Sequence, residues 1–181
     1  MKYIKLTPFL KNDFITEQDD SILIIDDDVI SGAKIQKLDS YRIVLVNGQY
    51  CPDLSDAIPG EGIFISALSA AVSQPAFIEH FGKHIDLGKN HFAALNTALF
   101  RDGLFIEIKN KVVVDKPLHI IHIVSSNSNL FLQPRHLFVV GAHSEISIIE
   151  SCVTAGGSAM EGKEVVVNNV SAIVASERSK L

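Results

Sequence analysis

The chain has 181 residues, of which 47% are hydrophobic and 20% charged, and its 16 basic and 21 acidic residues give a net charge of −5. This length allows one large domain or two small ones, each with a real core. No long basic run is present, which argues against nucleic-acid partners and against binding to an anionic membrane surface.

Targeting signals and disulfides are not indicated either. Residues 1–13 mix lysines with scattered apolar residues and do not resemble a signal peptide. No stretch approaches the roughly 18 apolar residues that span a bilayer. Cys51 and Cys152 stand alone, which fits a reducing compartment better than a disulfide framework. We therefore expect a soluble, cytoplasmic protein.

The first third of the chain has the pattern of a small α/β unit. An apolar run at 21–25 is followed by three aspartates at 26–28, which predict a solvated turn. Residues 41–46 read as a strand, and Asn47-Gly48 predicts a type I′ hairpin turn because both positions need positive φ. Pro52 should stop the returning strand, and residues 55–62 are expected to form a loop.

Three helices are predicted next. Residues 66–73 are rich in Ala and Leu, and Pro75 is well placed to begin a helix through about His84. Asn90 can cap a third helix, in which apolar residues recur at spacings of three and four. The members of this apolar stripe are Phe92, Leu95 and Leu99. Asp102-Gly103 is expected to end the helix.

After Gly103 the apolar pattern changes to a period of two, which predicts strands. Leu104, Ile106 and Ile108 share one face, and Glu107 lies on the other. Later candidate strands are 118–124, 136–140, 145–152, 164–167 and 171–175. A weak repeat at a shift of 27 aligns Val139 with Val166 and suits the rungs of a parallel β-helix, although an antiparallel sandwich explains it about as well.

The segment from Phe92 to Glu150 resembles the SufB/SufD family of iron–sulfur cluster assembly scaffolds, and SufD more than SufB. In that family a Phe-x-Ala-Leu-Asn-x-Ala helix leads through Asp-Gly into a right-handed parallel β-helix. The matching residues here are Phe92, Ala94, Leu95, Asn96, Ala98, Asp102 and Gly103. Further similar positions are Pro134-Arg135, Ile149-Glu150, Val46-Asn47-Gly48, Leu54-Ser55, Tyr3 and Leu6.

The resemblance implies a mainly β fold with a small α/β N-terminal part. We predict a small α/β region over residues 1–90 and the start of a partial, truncated parallel β-helix over residues 91–181. Family members are much longer and carry further rungs and a C-terminal helical domain. An open rung near 165–175 would then favour self-association of this chain.

The resemblance also implies a function. The chain would be a non-catalytic scaffold subunit that pairs with a SufB-like paralogue and works with a SufC-like ATPase, in which the enzymatic activity would reside. The iron–sulfur cluster, and any flavin, would belong to the full complex, and we predict that this fragment binds neither. The cluster-related histidines and cysteines of the family lie mostly beyond this region, so none is carried over.

Two pairs of histidines could suggest a metal site. His119 and His122 are three apart in a predicted strand and therefore point to opposite faces, so they cannot chelate together. His80 and His84 would share a helical face, as in zinc sites, but Gly82 lies between them and no HExxH pattern is present. A solvated helical face is the preferred interpretation of His80 and His84.

Cys152 and Glu150 share one face of a predicted strand with Ile148. A buried small hydrophobe is the preferred interpretation of Cys152, with a cluster ligand as the alternative. Inside the fold, the Glu150 carboxylate would need a partner, and Arg135 is the obvious candidate for a bidentate pair.

No catalytic constellation is present. Gly156-Gly157 lies in a small-residue loop without the Lys-Ser/Thr of a phosphate-binding loop. A carbohydrate-active β-helix enzyme is the rival interpretation, but the outward acids Glu107 and Glu145 are scattered rather than clustered. On the sequence we assign no catalytic, cofactor-binding or metal-ligating residue.

Overall fold

The computed structural model describes residues 11, 13–16, 25, 27–155 and 161–181. The helices are α1 (Asp27–Ala33), α2 (Pro75–His80) and α3 (His91–Leu99). The strands are β1 (Tyr41–Val46), β2 (Gln49–Tyr50), β3 (Ile63–Ala67), β4 (Gly103–Ile108), β5 (Leu118–Val124), β6 (Leu130–Leu132), β7 (Arg135–Val140), β8 (Ile148–Thr154), β9 (Val165–Val167) and β10 (Val170–Ala175). No helix in this part of the chain is long and apolar enough to cross a membrane.

The fold is mainly β, with mixed sheets and few helices. The first sheet has the strand order β2-β1-β5-β8, the second β10-β7-β4-β3, and the third pairs β6 with β9. The β1–β2 and β3–β4 pairs are antiparallel, and the pairs that link β1, β5 and β8, or β4, β7 and β10, are parallel. Strands of the region before residue 91 thus pair directly with strands that follow it.

From β4 onward the chain visits the three sheets in a fixed cycle. β4, β7 and β10 lie in the second sheet, β5 and β8 in the first, and β6 and β9 in the third. Leu118 and its partner Ile148 on the parallel strand are 30 residues apart in the chain, and Val139 and its partner Val174 are 35 residues apart. The predicted shift of 27 is therefore wrong, because residues 165–167 belong to the third sheet and do not pair with β7.

The main core lies between the first and second sheets. Leu104, Ile106 and Ile108 face it from β4, as the period of two predicts, and Ile120 and Phe138 face it from β5 and β7. The opposite faces of these strands are also covered. One outer cluster packs α1 against β1 and β5, and another packs α2 and the turn after β3 against β4 and β7.

Local signals predicted several elements correctly. Asn47 and Gly48 have φ values of 49° and 85°, and they join the antiparallel strands β1 and β2. α2 begins at Pro75, and the Asn90 side chain caps α3 by accepting a hydrogen bond from the Ala93 amide. The strand predictions from β4 onward match β4, β5, β7, β8, β9 and β10 closely, but they omit β6.

Other expectations are corrected by the structure. The predicted helix at 66–73 is instead the end of β3 followed by a 3-10 turn at Ser69–Ala71, because antiparallel pairing with β4 overrides the helical propensity of Ala and Leu. α2 ends at His80, since the Phe81 backbone is extended and Gly82 has a φ of 77°. The expectations for Tyr3, Leu6, residues 21–24, Asp26 and Gly156-Gly157 fall outside the described residues.

Gly103 is required by the close approach of two strands. A Cβ atom there would lie 1.8 Å from the carbonyl oxygen of Arg135 on the neighbouring strand β7. We expect Gly103→Ala to lower the free energy of unfolding by about 2 kcal/mol or more, because β4 and β7 would have to separate. Urea denaturation provides the measurement.

Gly32→Ala is the matched control for this prediction. No atom lies within 4 Å of a Cβ built at Gly32, which is in α1. The control should be neutral or stabilising by up to about 1 kcal/mol, since Ala favours helix over Gly. Equal stability of the two variants would contradict the strand-approach argument.

Candidate functional site

A buried asparagine, Asn96, makes most of the hydrogen bonds that attach α3 to the sheets. The Asn96 side-chain amide donates hydrogen bonds to the carbonyl oxygens of Pro134 (2.9 Å) and Asn168 (2.8 Å). Its Oδ1 accepts a hydrogen bond of 3.1 Å from the Arg135 guanidinium. Asn168 in turn donates to the Phe92 carbonyl and to Gln133 Oε1. We call this set of side chains, namely Asn96, Gln133, Arg135 and Asn168, the corner network.

The helix therefore buries different residues from those the sequence predicts. Ala93 and Asn96 are its buried residues, whereas the predicted stripe of Phe92, Leu95 and Leu99 is only half-buried. The reason is that α3 lies closest to the strands at Ala93 and Asn96. The small Ala93 side chain allows the close approach, and the Asn96 amide donates hydrogen bonds to backbone carbonyls.

The predicted pair between Arg135 and Glu150 is wrong. Arg135 is 2% exposed and lies on the outer face of β7, where it donates to Asn96 and to Thr97 Oγ1 (3.2 Å). Its guanidinium carbon lies 5.7 Å from the centre of the Phe81 ring, a cation–π arrangement. Glu150 lies on β8 in the other large sheet, on the face that is turned toward the core.

A second polar group, the inward cluster, consists of His122, His136, Glu150 and Asn169. The His122 Nε2 atom lies 3.3 Å from the Glu150 carboxylate, which also accepts a hydrogen bond of 3.2 Å from the Asn169 amide. The His122 and His136 rings have centres 5.4 Å apart. The hydrogen bond from His122 is the main reason why the pKa of Glu150 is lowered, so this carboxylate stays ionised.

His136 is neutral and fully buried within the inward cluster. Burial, with a smaller contribution from the neighbouring His122, lowers its pKa to about 3, while Glu150 opposes the shift. Its Nδ1 accepts a hydrogen bond of 2.9 Å from the Leu104 amide, which places the ring proton on Nε2. That Nε2 is buried and has no hydrogen-bond partner. His136 can therefore donate a proton in a hydrogen bond, but its Nε2 offers no lone pair to a metal.

Cys152 is exposed, so the prediction of a buried cysteine is wrong. It pairs in register with His122 across β8 and β5, on the inward side, but no further strand covers it among the described residues. Partial desolvation raises the pKa of its thiol, which therefore remains protonated at neutral pH. Within the described residues, no group of three or more His, Cys, Asp or Glu side chains could hold a metal ion.

The remaining candidate residues are dispersed. His119 faces outward, shares a hydrogen bond of 2.8 Å with Ser151 and lines a shallow groove beside Arg42, so it does not meet His122. Glu107 is only 8% exposed and forms an ion pair with Lys109, so it is not an accessible acid. His80 Nδ1 and His84 Nε2 lie 3.4 Å apart at the end of α2.

The sequence reasoning missed His136 as a site residue and the hydrogen-bonding roles of Asn96 and Asn168. A signal for His136 was present, since it occupies an inward position of a strand whose next inward residues, at 138 and 140, are apolar. A histidine in such a row must be neutral and hydrogen-bonded. Asn168 gives no local signal, because its partners lie 35 and 76 residues away.

Comparison with known families identifies the chain. The family described as SufBD protein N-terminal region matches residues 1–120, about two thirds of the sequence. This match includes α3 and Asn96, while Arg135 and the rest of the corner network lie after it. The chain belongs to the SufBD family.

Several curated relatives are similar over shorter segments. An iron–sulfur cluster assembly SufBD family protein of Mycobacterium bovis is 36% identical over 80 residues, which are 44% of this chain and 9% of that protein. The iron–sulfur cluster assembly protein SufB of Bacillus subtilis is 28% identical over 102 residues, which are 55% of this chain and 22% of that protein. A SufBD family protein of Pyrococcus horikoshii is 30% identical over 74 residues, 41% of this chain and 16% of that protein. The matched segments thus span less than a quarter of these relatives.

The corner network generates a stability prediction. Asn96→Ala would leave two buried carbonyl oxygens and one Arg135 donor without this partner, so we expect a loss of about 3 kcal/mol in the free energy of unfolding. Asn90→Ala is the matched control, because it removes only the N-cap of the same helix and should cost about 1 kcal/mol. Chemical denaturation that ranks Asn90→Ala as the more harmful change would refute this role of Asn96.

The lowered pKa of His136 predicts that the free energy of unfolding depends on pH. Its pKa is about 3 when folded, against an ordinary value of 6.5 in the unfolded chain, so protons bind the unfolded chain preferentially. The stabilisation is complete above pH 6.5 and is lost as the pH falls, by about 1 kcal/mol between pH 7.5 and 5.5. The pKa of Glu150 is also lowered, but it matters only below about pH 4.5.

Unfolding midpoints at the two pH values test this expectation. His136→Asn keeps an acceptor for the Leu104 amide and removes the titrating ring, so its midpoint should fall less between pH 7.5 and 5.5 than that of the natural chain. His119, whose pKa is also lowered by burial, contributes in the same direction in both proteins and cancels in the comparison. An unchanged pH dependence in His136→Asn would rule out His136 as its source.

Proposed function

We propose that the chain is a non-catalytic scaffold subunit in iron–sulfur cluster assembly, of the SufD kind. It would pair with a SufB-like paralogue and work with a SufC-like ATPase, which would supply the enzymatic activity. The observation that carries this proposal is the family match over residues 1–120, together with relatives whose names state iron–sulfur cluster assembly. The preference for SufD over SufB rests on the similar positions at Asn47-Gly48 and Pro134-Arg135.

The proposed architecture is the start of a right-handed parallel β-helix. Support comes from the cycle in which successive strands visit the second, first and third sheets and then return. Isolated parallel bridges between Val113 and Glu145, and between Glu145 and Lys180, occur at the corners between strands and continue the same stacking. A stack of this kind is rigid, because each turn is hydrogen-bonded to its neighbours along three sides. Rigidity is what a scaffold must supply.

The arrangement of acids and thiols supports a non-catalytic role. Glu107 and Glu145 form ion pairs with Lys109 and Lys180, so the two acids of the rival sugar-cleaving interpretation do not form a catalytic carboxylate pair. An iron–sulfur cluster would be cargo of the whole complex. The single exposed cysteine, Cys152, offers one thiol where a cluster takes several, so we propose that this chain alone holds no cluster.

We propose that the edge of β10 takes up a further strand, which the SufB-like partner can supply. Within the described residues β10 has a neighbour, β7, on one side only. The Val170 amide donates to Pro134, just before β7, and the Ser176 amide donates to Val140, at the end of β7, so the alternating residues between them direct amides away from β7. Ile173 lies in the same inward row as buried Phe138 but is 48% exposed. A partner strand that continues the sheet would cover Ile173 and satisfy the open backbone groups.

Co-purification tests the proposal. The chain is captured from its native lysate, and the associated proteins are identified by mass spectrometry. We expect a SufB-like protein to be recovered, and Ile173→Lys to reduce its recovery at least about tenfold, since charge on a strand edge opposes sheet extension. Ile78→Lys is the matched control, because Ile78 is 64% exposed on α2 and is not part of the β10 edge, so it should leave recovery unchanged.

The possible outcomes distinguish the proposed scaffold role from the proposed pairing surface on β10. Recovery of a SufB-like protein that is insensitive to Ile173→Lys would keep the scaffold role and reject β10 as the pairing edge. Recovery of a second copy of this chain alone would replace the paralogue by self-association. Cleavage of polysaccharides by the purified chain would overturn the scaffold proposal in favour of the enzyme.

A further inference from the structure

The end of α2 brings two imidazoles into contact. α2 ends at His80, Gly82 turns the backbone with a φ of 77°, and His84 returns toward the helix. Phe81, between the two histidines, stacks on Phe77 with ring centres 4.5 Å apart and an angle of 13° between the rings. Phe81 also packs edge-on against Phe100, in the outer cluster that covers β4 and β7. These contacts hold the backbone between the two histidines in place.

The distance between the two nitrogens fits a bound cation. His80 Nδ1 and His84 Nε2 are 3.4 Å apart. Two imidazole nitrogens bound to a tetrahedral Zn²⁺ at 2.0–2.1 Å lie about 3.3–3.4 Å from each other. The two nitrogens thus already stand at the separation that chelation requires, a distance at which the rings can also share a hydrogen bond.

The surroundings of His80 also favour a free lone pair on Nδ1. The Glu79 carboxylate lies 3.9 Å from His80 Nε2, on the side of the ring opposite His84. A carboxylate at the second ring nitrogen favours the tautomer with its proton on Nε2, which leaves Nδ1 available as a ligand. At 3.9 Å the contact is electrostatic and not a hydrogen bond, so Glu79 biases the tautomer through its charge.

We propose that His80 and His84 form a two-histidine chelate for a divalent transition metal, with Zn²⁺ as the best-matched ion. Imidazole nitrogens suit zinc, copper and nickel rather than magnesium or calcium. No third protein ligand joins them among the described residues, so water would complete the coordination and the bound ion would be exchangeable. The site is separate from the corner network and from the inward cluster, and it does not depend on the proposed scaffold function.

Calorimetric titration of the untagged protein with ZnCl₂ at pH 7.5 tests the proposal. We expect one equivalent to bind, and His80→Gln or His84→Gln to weaken this binding at least tenfold. His143→Asn is the matched control, because His143 is exposed in a turn with a φ of 59°, which asparagine tolerates, and it should not alter binding. Circular dichroism verifies that each variant is folded.

Two further measurements distinguish chelation from a simple hydrogen bond between the rings. Glu79→Gln should weaken Zn²⁺ binding less than either histidine variant does, because Glu79 acts only through its charge, and a purely structural pair would not show this response. Co²⁺ bound at the site should give a visible spectrum that is absent from both histidine variants. Lack of stoichiometric binding by the natural chain, or binding that survives in the His80→Gln/His84→Gln double variant, would overturn the proposal.

Discussion

The side-chain amide of Asn96 is the constraint on which the arrangement of helix and sheets depends. Its two donated hydrogen bonds join α3 to Pro134, immediately before β7, and to Asn168, between β9 and β10, and its oxygen accepts from Arg135. One side chain thus fixes the distance between a helix and two successive turns of the chain. An apolar residue of similar size could fill the space, but it would leave the backbone carbonyls at these strand starts without partners.

Individual strands were predictable from the sequence, but their partners were not. The alternation of apolar residues at Leu104, Ile106 and Ile108 indicates which face of the strand is buried, and it can be read from neighbouring residues alone. From β4 onward the parallel partner of a strand lies 30–35 residues away in the chain, and the intervening loops differ in length, so no fixed period reveals it. β3 was missed for a related reason, because Ile63–Ala67 is held in an extended form by pairing with β4.

The candidate site was predictable only in part. Glu150 was recognised as a carboxylate on an inward face, but its partner is His122 rather than Arg135. The error arises because Arg135 and Glu150 lie in different sheets, and Arg135 points outward toward α3. The sequence gives the face of each residue within its own strand, whereas the choice of partner depends on how the sheets are placed around the core.

Both polar groups of the fold keep buried donors without a hydrogen-bond partner. The corner network binds backbone carbonyls and amide oxygens and so serves the fold, but its Gln133 Nε2 and Arg135 Nε atoms are buried and unpartnered. The inward cluster retains a buried, unpartnered N–H on His136 and a carboxylate on the more exposed β8. Unsatisfied buried groups are uncommon in proteins, and where they occur a functional reason is often found. The inward cluster is therefore distinguished by its accessible carboxylate, since the Glu150 side chain is 35% exposed, and not by an unsatisfied donor.

The unequal spacing of paired strands has a consequence for how such a chain can change during evolution. Leu118 and its partner are 30 residues apart, whereas Leu130 and its partner are 35 apart, yet both pairs are in regular parallel register. The corners must therefore absorb insertions and deletions of several residues without altering which side chains stack. Homologues can then diverge in length at every corner while keeping the same column of inward residues, so alignments that penalise gaps uniformly will understate their relationship.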